Sequence, residues 1–83
     1  MQDKAAVEPR ALRLHASDNV VVAVDQIGKG ATAKGVIATA RIPRGHKMAT
    51  STIEKGAPVF KFGQIIGFAT DTIAPGSHIH THS

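Results

Sequence analysis

At four places along the chain, an isoleucine is followed three residues later by a glycine. The four segments are residues 27–30, 42–45, 53–56 and 73–76. The prolines and glycines of the second and fourth segments suit the central positions of tight turns. The segments are spaced irregularly, at 15, 11 and 20 residues, whereas a solenoid needs a fixed period. The pattern therefore predicts one compact domain whose chain turns sharply after buried isoleucines.

Strand signals are common between these turns, and helix signals are scarce. Gly, Pro, Thr and Val interrupt every window in which a period near 3.6 residues could establish itself. The segment VVVAV (residues 20–24) is apolar throughout, which predicts a central strand covered on both faces. Short alternating or β-branched runs predict seven strands, at residues 11–15, 19–24, 35–40, 46–50, 58–62, 64–70 and 78–82. We expect an all-β domain, with residues 1–11 as a flexible N-terminal segment and residues 28–35 as a turn and loop.

Composition limits the classes of function. The 83-residue chain has no cysteine, which excludes disulfides, thiolate metal sites and cysteine nucleophiles. The basic residues behind its net charge of +4 are scattered along the chain, and it has only three aromatic residues. We therefore expect a solvated surface or a small anionic substrate rather than a nucleic-acid partner. No apolar run suggests a signal peptide or a membrane span, and a cytoplasmic protein is the default expectation. Because so small a core supplies only a few kcal/mol, support from a partner or from self-association is expected.

The C-terminal segment GSHIHTHS carries histidines at positions 78, 80 and 82. In an extended strand they would share one face, with neighbouring Cα atoms about 6.5 to 7 Å apart. Two of them can bind one metal, but the outer pair, about 13 Å apart, cannot. The pattern leaves open a metal site that uses His78 with His80, or His80 with His82, and ligands from elsewhere; it also leaves open a part of a catalytic site and an exposed polar strand face.

Three other places carry candidate site residues. His46 and Lys47 directly follow a tight turn, where a histidine could exchange protons and a lysine could pair with a carboxylate; ordinary surface residues are the alternative. Asp18 and Asn19 precede the central strand and are candidate substrate ligands, although Ser-Asp-Asn is also a common turn composition. Lys61 is expected to face solvent or an anion.

The segment FKFGQIIGFAT (residues 60–70) has an apolar run between two glycines. Gly63 is expected to form a hairpin turn or a bulge, and Gly67 to allow a close backbone approach. We expect the three phenylalanines of this segment in the core or at an interface.

The order and spacing of these motifs resemble the SAF domain of the altronate and galactarate dehydratase family, from Leu12 to the C-terminus. The most specific matches are Pro-x-Gly-His-Lys at residues 43–47, Lys-aromatic-Gly at residues 61–63 and Gly-x-His-x-His-Thr-His at residues 76–82. The resemblance implies a β-clip fold, a small all-β unit of folded long hairpins, over residues 12–83. Phe62 stands where the family usually has tyrosine, and Ser83 where it usually has asparagine.

The resemblance also implies an activity. Enzymes of this family eliminate water, or sulfite in (2R)-sulfolactate sulfo-lyase, from a hydroxy acid, which requires a base, an acid and a cation or metal to stabilise developing charge. The domain is either fused to a catalytic domain or made as a small subunit. Because this chain stops at Ser83, we expect a separate large catalytic subunit and no activity by the small chain alone.

In that interpretation the site residues have assigned roles. The catalytic candidates are His46, His80 and His82; the substrate-binding candidates are Lys47, Lys61, Asp18 and Asn19; the metal candidates are His78 and His80. A divalent metal, iron or manganese, would be held mainly by the large subunit. The alternative is a noncatalytic module that uses the same fold to bind a sugar acid or a protein partner.

Overall fold

A computed structural model describes residues 7–80, in which every regular element is a β-strand. No helix in that range could cross a membrane. The strands are β1 (Ala11–Leu12), β2 (Val20–Ala23), β3 (Thr32–Ala33), β4 (Val36–Ile37), β5 (Lys47–Ala49), β6 (Pro58–Lys61), β7 (Gln64–Phe68) and β8 (His78–Ile79). The predicted all-β class is confirmed, with strands shorter than the sequence suggested.

The apolar segment of residues 20–24 forms the centre of the largest sheet. This antiparallel sheet has the order β1-β2-β5-β8. Val20 packs into one hydrophobic cluster and Val21 into another, because successive side chains of a strand point to opposite faces. The predicted central strand covered on both faces is therefore confirmed.

The first strand includes a residue that the sequence assigned to the flexible segment. Ala11 is buried and pairs with Ala23 of β2. Just before it, the backbone N–H and the guanidinium of Arg10 donate to the Asp25 carboxylate, each over 2.9 Å. These contacts tie the chain down from Arg10 onward, so Ala11 belongs to the folded domain. Flexibility of the residues before Arg10 stays a prediction.

A short hairpin stands where the sequence predicted a turn and loop over residues 28–35 followed by a strand over residues 35–40. Strands β3 and β4 pair through Thr32 with Ile37 and Ala33 with Val36. The two residues between them, Lys34 and Gly35, both have positive φ, 53° and 75°, as a type I′ turn requires. Two-residue strands are too short to show an alternating pattern, which is why the sequence did not reveal β3.

The four Ile-x-x-Gly segments build two equivalent units, the first clip (residues 23–46) and the second clip (residues 49–77). Ile27 and Ile42 exchange two backbone hydrogen bonds in the first clip, and Ile53 and Ile73 exchange two in the second, with the same lengths of 2.9 and 2.8 Å. The first three isoleucines are buried and Ile73 is partly buried. The predicted turns after buried isoleucines are thus confirmed for three segments.

The correspondence extends along both clips. Gly45 N–H donates to the Ala23 carbonyl at the end of the first clip, and Gly76 N–H donates to the Ala49 carbonyl at the end of the second, both over 2.8 Å. Each clip carries a hairpin, β3–β4 in the first and β6–β7 in the second. The second clip is five residues longer, and its extra length lies in the hairpin.

Each clip also encloses its own hydrophobic cluster. The first contains Ala11, Val21, Ala23, Ile27, Ala33, Ala38, Ile42 and Met48. The second contains Val20, Ala49, Ile53, Val59, Ala69 and Ile79. Because β2 contributes to both clusters, the two clips form one domain.

Candidate functional site

Three histidines meet at one edge of the four-stranded sheet. His46 immediately precedes β5, and β8, which begins with His78, runs antiparallel beside it. His46 Nδ1 and His78 Nε2 share a hydrogen bond of 2.8 Å, and the two rings stack with centroids 5.0 Å apart. His80 meets the His78 ring edge-on, with centroids 4.3 Å apart. We call His46, His78 and His80 the histidine cluster.

In the cluster, two predicted catalytic residues, His46 and His80, both contact His78, which was predicted as a metal ligand. The close approach of His78 and His80 agrees with the alternation along an extended strand. His82, the third predicted catalytic residue, lies outside the described residues. Sequence spacing indicated the pair on β8, but the contact with His46 depends on the register of β5 and β8.

The surroundings of His78 keep it uncharged. Burial lowers the pKa of His78, and the positive charges of His80, His46, Lys47 and Arg41 lower it further. A histidine normally titrates near pH 6.5, so at neutral pH this one is a neutral imidazole that can accept a proton. Such a group is suited to general base catalysis.

The two predicted carboxylate-binding lysines lie near one another. Lys47 directly follows His46 in the chain, and its side chain is half-buried. Burial lowers the pKa of Lys47, and the charge of Lys61 lowers it further. A carboxylate bound between the ammonium groups would relieve this repulsion, because opposite charges favour the charged form.

A groove of about 410 Å³ opens beside the histidine cluster. His78 and His80 form part of its wall, together with Asp71. The remaining lining is mostly apolar and comes from the second clip and from β8: Val59, Gly67, Phe68, Ala69, Thr70, Ile73 and Ile79. A groove of this size, with a few polar groups on an apolar wall, has the character of a small-molecule site.

The histidine cluster does not form a metal site by itself. Within residues 7–80, no three or more His, Asp or Glu side chains are placed to hold one ion. His46 Nδ1 and His78 Nε2 are engaged with each other, and zinc sites in proteins typically have three or four protein ligands. The site predicted at His78 and His80 thus has no third ligand in this range.

Asp18 and Asn19 hold the β6–β7 hairpin. The Asp18 carboxylate accepts hydrogen bonds from the N–H groups of Phe62 and Gly63, both over 2.8 Å. Asn19 accepts one from Phe60 N–H over 2.8 Å and donates one to the Pro58 carbonyl over 3.1 Å. Both carboxylate oxygens of the buried Asp18 are engaged by backbone, and a substrate contact of Asp18 and Asn19 stays a prediction.

The hydrogen bonds to Asp18 favour its charged form. Burial raises the pKa of Asp18, but the N–H groups of Gly63 and Phe62, with smaller contributions from His15, lower it by more, so that the net change is downward. A carboxylate that accepts backbone N–H bonds is stabilised in this way. The hairpin turn is therefore held by an ionised side chain.

Two further residues shape the site through contacts that the sequence did not predict. Arg41 adds positive charge near His78 and donates to the side chain of Gln26 over 2.8 Å. Gly76 is buried with φ +86°, and a Cβ there would collide with the carbonyl oxygen of Ile37. Gly76 therefore lets the chain entering β8 pass against the first clip. The sequence showed a turn glycine here but not this long-range contact.

The fold and the histidine edge define the class of protein. The family model for the altronate/galactarate dehydratase SAF domain matches residues 9–83. The chain therefore belongs to this family, and the predicted resemblance is confirmed.

Several characterised relatives share the domain. Over 76 residues the chain is 40% identical to altronate dehydratase of Escherichia coli (strain K12), which covers 87% of this chain and 15% of that protein. It is 32% identical over 71 residues to the E. coli galactarate dehydratase (L-threo-forming), covering 82% of this chain and 14% of that protein. It is 39% identical over 46 residues to (2R)-sulfolactate sulfo-lyase subunit alpha of Paracoccus pantotrophus, covering 55% of this chain and 69% of that protein. The chain thus spans about a seventh of the dehydratases and about two thirds of the sulfo-lyase subunit.

Proposed function

We propose that the chain is the small subunit of a cytoplasmic hydro-lyase that removes water from a sugar acid such as altronate or galactarate, in a site completed by a separate large subunit. The observation that carries the proposal is the histidine cluster, two of whose members, His78 and His80, line the groove. The reaction class is supported by the two dehydratase relatives, and a third relative is the alpha subunit of a sulfo-lyase.

The reaction needs two proton transfers. A base removes the proton α to the carboxylate, the C–O bond at the neighbouring carbon breaks, and an acid protonates the departing hydroxide, so that water and an enol leave; the enol becomes a 2-keto acid. His78, kept neutral by burial and charge, shares a hydrogen bond with His46. This pair can take up one proton and return it, and His80 is in contact with the pair.

In this proposal, substrate binding falls to Lys47, which follows His46 in the chain, and to Lys61, whose charge acts on Lys47. Lys47 and Lys61 would pair with the carboxylate and hold the α-carbon near the imidazoles. Their effect is electrostatic, because negative charge grows on the carboxylate as the proton leaves. The small chain then binds and orients the substrate and moves protons.

The metal belongs mainly to the large subunit in this proposal. A divalent iron or manganese ion would stabilise the negative charge that develops on the substrate. Residues 7–80 offer no ligand set for it. We therefore expect the small chain to be inactive alone.

A sulfo-lyase subunit is the second candidate. It is favoured by the match to (2R)-sulfolactate sulfo-lyase subunit alpha, of which the chain covers more than two thirds. The same proton abstraction would then expel sulfite in place of water.

The test is recovery of the tagged chain from its native lysate with whatever large chain accompanies it. The complex is assayed for 2-keto acid release from a panel of aldonates and aldarates, and for sulfite release from sulfolactate. We expect His46→Ala and His80→Ala to lower kcat by about 100-fold or more, and Lys29→Ala, an exposed residue of the first clip, to stay within about threefold of wild type.

Three results would change the account. Full turnover in both cluster variants would remove the catalytic role from His46 and His80. Sulfite release without 2-keto acid release from sugar acids would select the second candidate. Substrate binding without turnover in any assay would favour a noncatalytic binding module.

A further inference from the structure

The tip of the β6–β7 hairpin holds an aromatic residue in an unfavourable backbone conformation. Phe62 has φ +57° and is followed by Gly63 at φ +73°, which together form a type I′ turn. Asn, Asp or Gly usually takes the first central position of this turn. A bulky side chain with positive φ is uncommon and costs about 1 to 2 kcal/mol.

Nothing within the described residues offsets that cost by burying the ring. The Phe62 side chain is 66% exposed. The equivalent turn of the first clip has Lys34, at φ 53°, in the same position. A lysine at such a tip is well solvated, whereas a phenylalanine leaves its apolar ring in water.

The tip is also held rigidly from below. Its two turn amides donate to the buried Asp18 carboxylate, both over 2.8 Å. The ring of His15 lies under Gly63, where an added Cβ would be 2.9 Å from it. A fixed, exposed aromatic has the properties of an interface anchor, because aromatic side chains dominate binding energy and a preordered one loses little entropy.

The surroundings of Phe62 extend this surface towards the candidate site. Ile65 and Phe68 of the same hairpin are 53% and 63% exposed, and Phe68 lines the groove together with His78 and His80. Residues 58–68 contain no acidic residue, and their one charged side chain is Lys61. A matching surface would be apolar with carboxylates nearby. A second copy of this basic chain fits less well, because the same positive hairpin would meet itself.

We propose that Phe62 is the anchor by which this hairpin docks into an apolar pocket, flanked by carboxylates, on the large catalytic chain. This inference rests on the proposed function for the identity of the partner. The remainder of the dehydratase relatives is much longer than the SAF domain, which provides ample surface for such a pocket. Docking there would cover the groove beside the histidine cluster and exclude water from it.

The test separates binding from folding with a matched pair of variants. Phe62→Asn and Lys34→Asn both place a residue that accepts positive φ into equivalent turns. We expect neither to lower the melting temperature of the full chain, and Phe62→Asn to raise it by up to about 4 °C because strain is removed. Affinity for the purified large chain is then measured by interferometry.

Phe62→Asn is expected to raise Kd at least tenfold, Lys34→Asn to stay within twofold, and Phe62→Tyr, which keeps the ring, to stay within threefold. A Kd of Phe62→Asn within twofold of wild type would overturn the docking role, as would recovery of no large chain by the wild type. A self-association of the chain that Phe62→Asn abolishes would assign the surface to a second copy and overturn the assigned partner.

The same data keep this inference distinct from the proposed function. Loss of binding with Phe62→Asn, in a complex that turns over none of the tested acids, would support the docking surface and reject the lyase. Turnover in a complex whose affinity does not depend on Phe62 would support the lyase and reject the docking surface.

Discussion

The two clips share one backbone frame and differ in what is built on it. Both are closed by reciprocal bonds between two isoleucines and by a glycine N–H at the end of the clip. The first clip carries a short hairpin whose tip, Lys34, is exposed. The second carries a longer hairpin held by Asp18 and Asn19, and it leads directly into β8 with its histidines. The frame sets the fold, while the additions to the second clip supply the groove wall and the exposed aromatics.

The clearest difference between equivalent positions is between Gly45 and Gly76. Their φ angles are nearly equal, +84° and +86°, but the space around a Cβ at Gly45 is open, whereas at Gly76 it is filled by the backbone of Ile37. Gly76 therefore ties the two clips together in a way that Gly45 does not.

The largest predicted effect on stability comes from replacing each of these two glycines with alanine. Gly45→Ala should lower the free energy of unfolding by about 1 to 2 kcal/mol, the cost of positive φ. Gly76→Ala should lower it by about 3 kcal/mol or more, because a backbone group must also move. Urea denaturation of the two variants measures the difference. Equal losses would show that the contact with Ile37 adds nothing.

The next effect concerns the hairpin of the second clip. The folded pKa of Asp18 is below its ordinary value, so the unfolded chain binds more protons as pH falls. The stability that this carboxylate contributes is present above its ordinary pKa and is lost as pH falls through the folded pKa. We expect Asp18→Asn to be less stable than wild type at pH 7, with the difference narrowing below about pH 4. Urea midpoints from pH 2 to 7 measure this.

Asp71→Asn is the matched control for Asp18→Asn, since Asp71 is exposed and belongs to the second clip, whose hairpin Asp18 holds. It should follow the wild-type curve. A constant gap between Asp18→Asn and wild type at every pH would show that the carboxylate charge does not hold the hairpin. Arg10 lowers the pKa of Asp25 strongly through a side-chain hydrogen bond. This pair makes an acid-sensitive contribution to stability that is common to the wild type and both variants.

The smallest predicted effect lies in the histidine cluster. His78 should titrate below its ordinary value near 6.5. Replacing a neighbouring cation, in Lys47→Met, should raise the pKa of His78 but leave it below its ordinary value, because burial remains the larger cause. NMR titration of the imidazole resonances measures both. A downward change in the variant would show that Lys47 does not act on His78 through its charge.

Local signals in the sequence predicted the frame but not the long-range contacts. The apolar segment of residues 20–24 indicated a central strand, and the Ile-x-x-Gly segments indicated the turns, because both depend on neighbouring residues. The bond between His46 and His78 spans 32 residues and depends on strand register. The contacts of Asp18 span 44 and 45 residues. A turn-like Ser-Asp-Asn composition cannot show which backbone its carboxylate will reach.

The role of Phe62 was only partly visible in the sequence. The phenylalanines of residues 60–70 were expected in the core or at an interface, and Phe62 and Phe68 are exposed. Gly63 suggested a turn, but the positive φ of Phe62 is seen only in the three-dimensional structure. Phe62 therefore adopts a backbone conformation that bulky residues disfavour.

The most direct test of the account compares His78→Ala with Ser77→Ala in the complex with the large chain. Ser77 precedes His78 and occupies the position in the second clip that His46 occupies in the first. We predict that kcat falls about 100-fold or more for His78→Ala, remains within about twofold for Ser77→Ala, and that the affinity for the large chain is unchanged in both. Full turnover by the His78→Ala complex would contradict the central claim that the histidine cluster takes part in the elimination.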